Sequence, residues 1–75
     1  MHELLSAIKA NETLSSAGNV TEFLPNYAEL TYTFNEGLTA RIADHGNGRF
    51  QMTFNGFYHL EPTSVDRVVA YLASI

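Results

Sequence analysis

The chain has 75 residues, a formal net charge of -4 and no cysteine, and 45% of its residues are hydrophobic. Such a chain is expected to form one small folded domain, residues 1–75, without disulfides or thiolate metal sites to stabilise it. Its four basic residues are scattered, which excludes the basic patch of a typical nucleic-acid-binding protein.

The first predicted element is an amphipathic helix at the N-terminus. Its apolar residues recur at the helical period and are Met1, Leu4, Leu5 and Ile8. The pattern weakens at residues 11–13, although later apolar residues extend it as far as Gly18, a typical helix end. Residues 19–27 follow no regular period, and Pro25 favours an extended backbone before it. We therefore predict a loop anchored by apolar side chains there.

Three strands are predicted between residues 28 and 54, because apolar and polar residues alternate there with a period of two. The apolar members are Ala28, Leu30, Tyr32 and Phe34, then Leu38, Ala40 and Ile42, then Phe50, Met52 and Phe54. Turn residues separate the strands at 35–37 and 44–48. The hairpin signal Asn55-Gly56 adds a short edge strand at 57–60, giving an antiparallel meander of three to four strands.

A second helix is predicted at the C-terminus. Thr63 or Ser64 caps it, and Asp66 lies in its first turn, where the helix dipole favours an acid. Its apolar residues at the helical period are Val65, Val68, Val69, Leu72 and Ile75. This stripe is expected to pack on the apolar side of the sheet. The prediction is an α+β fold, a two-layer sandwich with a helix at each end of the chain.

The residue types that catalysis requires form no recognisable motif in the sequence. His45 lies beside Asp44 in a Gly-rich turn, but no nucleophile accompanies that pair, and His59 lies near the edge strand. A nucleophile elbow, a phosphate loop and a dinucleotide fingerprint are absent. We therefore expect no cofactor, no metal and no enzymatic activity.

Membrane and nucleic-acid functions are also disfavoured. No apolar run reaches the roughly 20 residues that span a membrane, and no basic region precedes an apolar one as in a signal peptide. The α-β-β-β-α order is that of a double-stranded-RNA-binding domain. The start of the second helix, however, has one base and one acid where that family has a lysine cluster. We expect a cytoplasmic protein that does not bind nucleic acid directly.

The polar residues of the strands predict a partner-binding surface. They are rich in threonine and nearly uncharged, whereas exposed sheet faces usually carry more charge. They are Glu29, Thr31, Thr33, Thr39, Arg41, Ala43, Gln51 and Thr53. The high β-propensity of threonine explains this composition equally well. Tyr27 and Tyr71 are further candidate anchors, because aromatic residues dominate protein interfaces.

A pattern of four segments covers roughly the C-terminal half of the chain: Tyr32–Glu36, Phe50–Phe54, 64–65 and 71–72. With this pattern the chain resembles small phage-encoded inhibitors of bacterial defence, the anti-CRISPR proteins, and in particular a type I inhibitor that mimics DNA. DNA mimics are densely acidic, whereas the eight acids here are spread along the chain. The resemblance therefore implies binding to a protein surface of a host CRISPR effector complex, in the cytoplasm of a bacterial host.

The leading hypothesis is a non-catalytic protein-binding module, and more narrowly a phage or mobile-element inhibitor that blocks a host defence complex. The first alternative is a structural homo-oligomer, because a core this small gains stability from self-association through sheet edges or the polar sheet face. The second alternative is a small enzyme that uses His45 and His59.

Overall fold

A computed structural model describes residues 1–75, apart from the side chain of Tyr58. The helices of this described chain are α1 (His2–Ala10), α2 (Glu12–Ala17) and α3 (Val65–Ala73). Its strands are β1 (Gly18–Leu24), β2 (Glu29–Phe34), β3 (Thr39–Gly46), β4 (Arg49–Phe54) and β5 (Tyr58–Leu60). All five strands form one antiparallel sheet in chain order. The predicted α+β class and the meander topology are confirmed.

The N-terminal helical segment is divided at Asn11. There the backbone turns extended, with φ of -86° and ψ of 116°, which ends α1. The Asn11 side chain then accepts a hydrogen bond from the backbone N–H of Leu14 at 3.0 Å and so caps α2. Leu4 and Ile8 of α1 and Leu14 of α2 are all buried. The predicted apolar stripe is therefore present, distributed over two short helices.

The predicted loop over residues 19–27 is wrong, because most of that segment is strand β1. Gly18 begins the strand, and Pro25–Tyr27 forms a turn of 3-10 helix before β2. The register of β1 against β2 shifts between Val20 and Glu22, so a β-bulge inserts one extra residue there. The bulge separates the inward-facing Val20 and Phe23 by three positions. This interruption hides the alternation of apolar and polar residues in β1. The meander therefore has five strands, where three to four were predicted.

The turns between strands contain the residues that tolerate positive φ. Gly37 has φ of 104°, and Asn55 has φ of 51° before Gly56, as the two hairpin signals predicted. The turn between β3 and β4, predicted over residues 44–48, is shorter than predicted. β3 continues to Gly46, and only Asn47 and Gly48 remain to reverse the chain before β4.

One side of the sheet packs against all three helices, and we call it the core face. It contributes Leu30, Tyr32, Phe34, Ala40, Ile42, Phe50, Met52 and Phe54 to the core, as the strand pattern predicted. Val68 and Leu72 of α3 complete this cluster, whereas Ile75, predicted to share their stripe, is 61% exposed beyond the helix end. Ser64 caps α3 by accepting from the backbone N–H of Arg67 at 3.1 Å.

A buried hydroxyl ties the sheet to the helical layer. Tyr32 has no exposed surface, and its hydroxyl donates to the backbone carbonyl of Leu14 at 2.7 Å. Gly18 lies so close to this hydroxyl and to the backbone of Thr33 that a Cβ atom at position 18 would overlap them. None of the described helices is long and apolar enough to cross a membrane.

Candidate functional site

The candidate site is the sheet face opposite the helices, which we call the open face. Strand pairing places all eight outward-facing residues predicted from the sequence on this face. The same pairing and alternation add Asn19, Thr21, Glu22, Leu24, Arg49 and His59. None of their side chains is buried, because the helices pack on the other side of the sheet. The structure thus contains the threonine-rich outward face, and its role in binding stays a prediction.

One row of side chains crosses all five strands of the open face. We call it the central row, and in strand order it consists of Glu22, Thr31, Arg41, Thr53 and His59. Cβ atoms of directly paired residues lie about 5 Å apart in an antiparallel sheet. A threonine therefore flanks Arg41 on each side, and a titratable residue ends the row at each edge of the sheet.

Arg41 is the cation of the central row. It lines a shallow depression of about 530 Å³ on the open face. Among the described residues, its guanidinium makes no ion pair and no hydrogen bond. The open face has two acids in or beside this row. Glu22 is on β1, two strands from Arg41, and Glu29 is on the neighbouring strand β2, diagonally opposite Arg41. The five N–H donors of Arg41 are therefore available to a group outside the protein.

The threonines of the open face fall into two groups. The hydroxyl oxygens of Thr21 and Thr33 share a hydrogen bond of 2.9 Å, and the Thr39 hydroxyl donates to an asparagine side chain of the neighbouring turn at 3.1 Å. The hydroxyls of Thr31 and Thr53 have no hydrogen-bond partner among the described residues. The two free hydroxyls are those beside Arg41.

The two tyrosines predicted as anchors lie away from the central row. Tyr27 ends the 3-10 turn between β1 and β2, at one end of the sheet, and is 76% exposed. Tyr71 lies on α3 and packs half-buried against the core on the helical side. The structure therefore does not bring Tyr71 to the open face. Gln51 is on that face, where its side-chain oxygen lies 3.1 Å from Nε2 of His45.

The acid and imidazole of Asp44 and His45 do not form a pair. The Asp44 carboxylate accepts a hydrogen bond from the backbone N–H of Gly46 at 2.8 Å and lies 3.7 Å from the N-terminal ammonium of Met1. The His45 ring contacts Gln51 instead. Within the described residues, no group of three or more histidines and acids is placed to hold a metal ion.

Sequence reasoning missed Glu22 and His59 as members of the candidate site. Glu22 belongs to the strand that the bulge concealed. For His59, the Asn55-Gly56 signal marks the turn but not its length. Phe54 pairs with Tyr58, which leaves residues 55–57 in the loop and sets His59 opposite Thr53. A shift of one residue in this pairing would have placed His59 on the core face.

Comparisons with protein-family models, with curated proteins and with solved structures gave no match to this chain. The functional argument therefore rests on the geometry of the open face.

Proposed function

We propose that the protein is a non-catalytic binding module that docks a protein partner on its open face. The central row supports this proposal. Arg41 has no partner among the described residues, and it lies between two threonines whose hydroxyls are equally unengaged. In the free protein, water satisfies these donors. A partner that supplies acceptors replaces that water with charge-assisted hydrogen bonds.

The side chains of the open face suit docking because most of them are short. Ordering a threonine on contact costs less conformational entropy than ordering a lysine or a glutamate. The hydrogen bond between Thr21 and Thr33 already holds two of these side chains in place. A larger part of the contact free energy is therefore retained as affinity.

The sequence resemblance to anti-CRISPR proteins suggests a narrower role, which we keep as a prediction. In that hypothesis, the partner is a host CRISPR effector complex in the bacterial cytoplasm, and docking blocks it. The open face is not an array of acids, because Arg41 lies centrally between Glu22 on one side and His59 on the other. Its contact in such a complex would therefore be with protein rather than with a site that receives DNA phosphates.

Replacement of both Thr31 and Thr53 by lysine tests the docking face. The two long cationic side chains would fill the depression and repel Arg41, so a partner bound by the wild-type protein is expected to be lost. The fold is expected to persist, because neither position faces the core. The measurement is quantitative capture from bacterial lysates with each protein as bait, with circular dichroism to confirm folding.

Thr13→Lys on α2 is the matched control, because it makes the same replacement at an exposed position of the helical layer. Proteins that the wild type and Thr13→Lys capture, and that the double variant loses, support docking on the open face. Equal capture by all three baits contradicts it. Sedimentation of the three proteins tests the alternative of a homo-oligomer. If the wild type is a dimer and the double variant is a monomer, the partner is a second copy of this chain.

A further inference from the structure

The middle of the central row presents one group that only donates hydrogen bonds, the Arg41 guanidinium, and two hydroxyls that can also donate. Arg41 supplies guanidinium N–H groups, and the hydroxyls of Thr31 and Thr53 lie on either side of it without a partner among the described residues. An arginine cannot accept a hydrogen bond, and each threonine hydroxyl is free to turn its proton toward a bound group. The complementary ligand is an oxyanion with several lone pairs.

We infer that Arg41, Thr31 and Thr53 form an oxyanion-binding site that receives an aspartate or glutamate carboxylate of the protein partner. The inference rests on the proposed docking function and specifies the chemistry at its centre. A planar guanidinium binds a carboxylate through two parallel N–H···O bonds. A hydroxyl on one side of Arg41 can donate to a remaining lone pair of the same carboxylate, and the hydroxyl on the other side can donate to a neighbouring acceptor of the same partner.

The surrounding charges favour a single carboxylate over the phosphates of a nucleic acid. Glu22 ends the central row on β1, and Glu29 lies diagonally opposite Arg41 on β2, so two acids of the same face lie on the β1–β2 side of the cation. A nucleic acid would lay several phosphates across the sheet and meet both acids, and the chain carries a net charge of -4. One carboxylate pairs with Arg41 alone and avoids this repulsion.

Selection of peptides from a random library by the immobilised protein tests the inference without a known partner. Peptides that bind the wild type are expected to be enriched in aspartate and glutamate and to be lost on a Thr31→Glu, Thr53→Glu variant, whose carboxylates flank Arg41 and repel acidic peptides. Arg41→Gln keeps a polar side chain but removes the charge, so it is expected to weaken the acidic peptides about tenfold or more. Arg67→Gln removes the same charge from the exposed surface of α3 and is expected to leave their affinity unchanged.

The outcomes separate the oxyanion site from the docking face. Peptides that depend on Thr31 and Thr53 but show no acidic enrichment, or that bind Arg41→Gln equally well, overturn the site and leave docking intact. The absence of any peptide that depends on this face overturns both. A labelled DNA or RNA oligonucleotide that binds the wild type at physiological salt, and is lost on Arg41→Gln, overturns the carboxylate in favour of phosphate.

Discussion

The two faces of this sheet are built from the same strands but from opposite kinds of side chain. On the core face, Tyr32, Ile42 and Met52 have no exposed surface. The one polar group among them, the Tyr32 hydroxyl, is bonded to the backbone of α2. On the open face, their immediate neighbours Thr31 and Arg41 have side-chain donors without partners in the described chain.

This difference separates stability from binding along every strand. A polar group that is buried must be satisfied within the protein, because an unpaired one costs about 1–3 kcal/mol. A polar group in water has no such requirement, so it can remain free for a partner at little cost to the fold. Substitutions on the core face are therefore expected to change stability, and those on the open face to change binding.

The largest expected effect is at Ile42, whose adjacent residue Arg41 serves as the control. Ile42→Ala is expected to lower the free energy of unfolding by about 2–5 kcal/mol, because it leaves a cavity between sheet and helices. Arg41→Ala is expected to change it by no more than about 0.5 kcal/mol. Urea denaturation followed by circular dichroism measures both.

Should Ile42→Ala fail to fold, Ile42→Val keeps this comparison measurable, with an expected loss of about 0.5–1.5 kcal/mol. A loss at Arg41→Ala as large as the loss at Ile42 would contradict the division between the two faces.

A smaller effect is expected from removing one hydroxyl from each face. Tyr32→Phe takes away the donor to the Leu14 carbonyl and leaves that buried acceptor unpaired, at an expected cost of about 1–3 kcal/mol. Thr31→Val removes a hydroxyl that has no partner among the described residues, with an expected change within about 0.5 kcal/mol. Thermal and urea unfolding of the two variants measure the difference, and equal losses would show that the open-face hydroxyl is also structural.

The smallest expected effect is a loss of stability at alkaline pH, and it again compares the buried Tyr32 with the open face. Burial, and next the nearby charge of Glu36, raises the pKa of Tyr32 above its ordinary value of 10.0. The folded protein therefore holds this proton more tightly than the unfolded chain does. The resulting stability is fully present below pH 10.0 and is lost as pH rises from there through the raised folded pKa.

This pH dependence is measurable as the stability difference between wild type and Tyr32→Phe. The difference is expected to shrink as the pH rises above 10.0, since only the wild type has this phenol. Thr31→Val, which retains Tyr32, is expected to follow the wild type. A difference that stays constant across this range would show that Tyr32 titrates alike in the folded and unfolded states.

Most of the sheet was predictable because each face has a single environment. From residue 30 to residue 54, the strands alternate between a dry side and a wet side, so Leu30, Ile42 and Met52 mark the core by their parity alone. The helical period identified α3 and the start of α1 for the same reason. Eight of the ten residues predicted for the partner-binding surface lie on the open face, namely Glu29, Thr31, Thr33, Thr39, Arg41, Ala43, Gln51 and Thr53.

The prediction failed where local pattern and tertiary contact diverge. In β1, the bulge between Val20 and Glu22 breaks the period of two, so no alternation remains to be read. Gly18 ends α2 as the sequence predicted, but it also begins a strand pressed against Tyr32, a contact 14 residues away in sequence that the local pattern does not show. Tyr71 is aromatic and part of a helix, but only packing determines that it faces the core and not the open face.

By itself, the sequence determined which side of each strand is apolar and where the chain turns, because both depend on a few neighbouring residues. Only the tertiary structure decided which side chains from different strands stand in one row. That arrangement depends on register, and register is set jointly by loop length, by the bulge and by packing against the helices. That register places Arg41 between Thr31 and Thr53, and the proposed function depends on this arrangement.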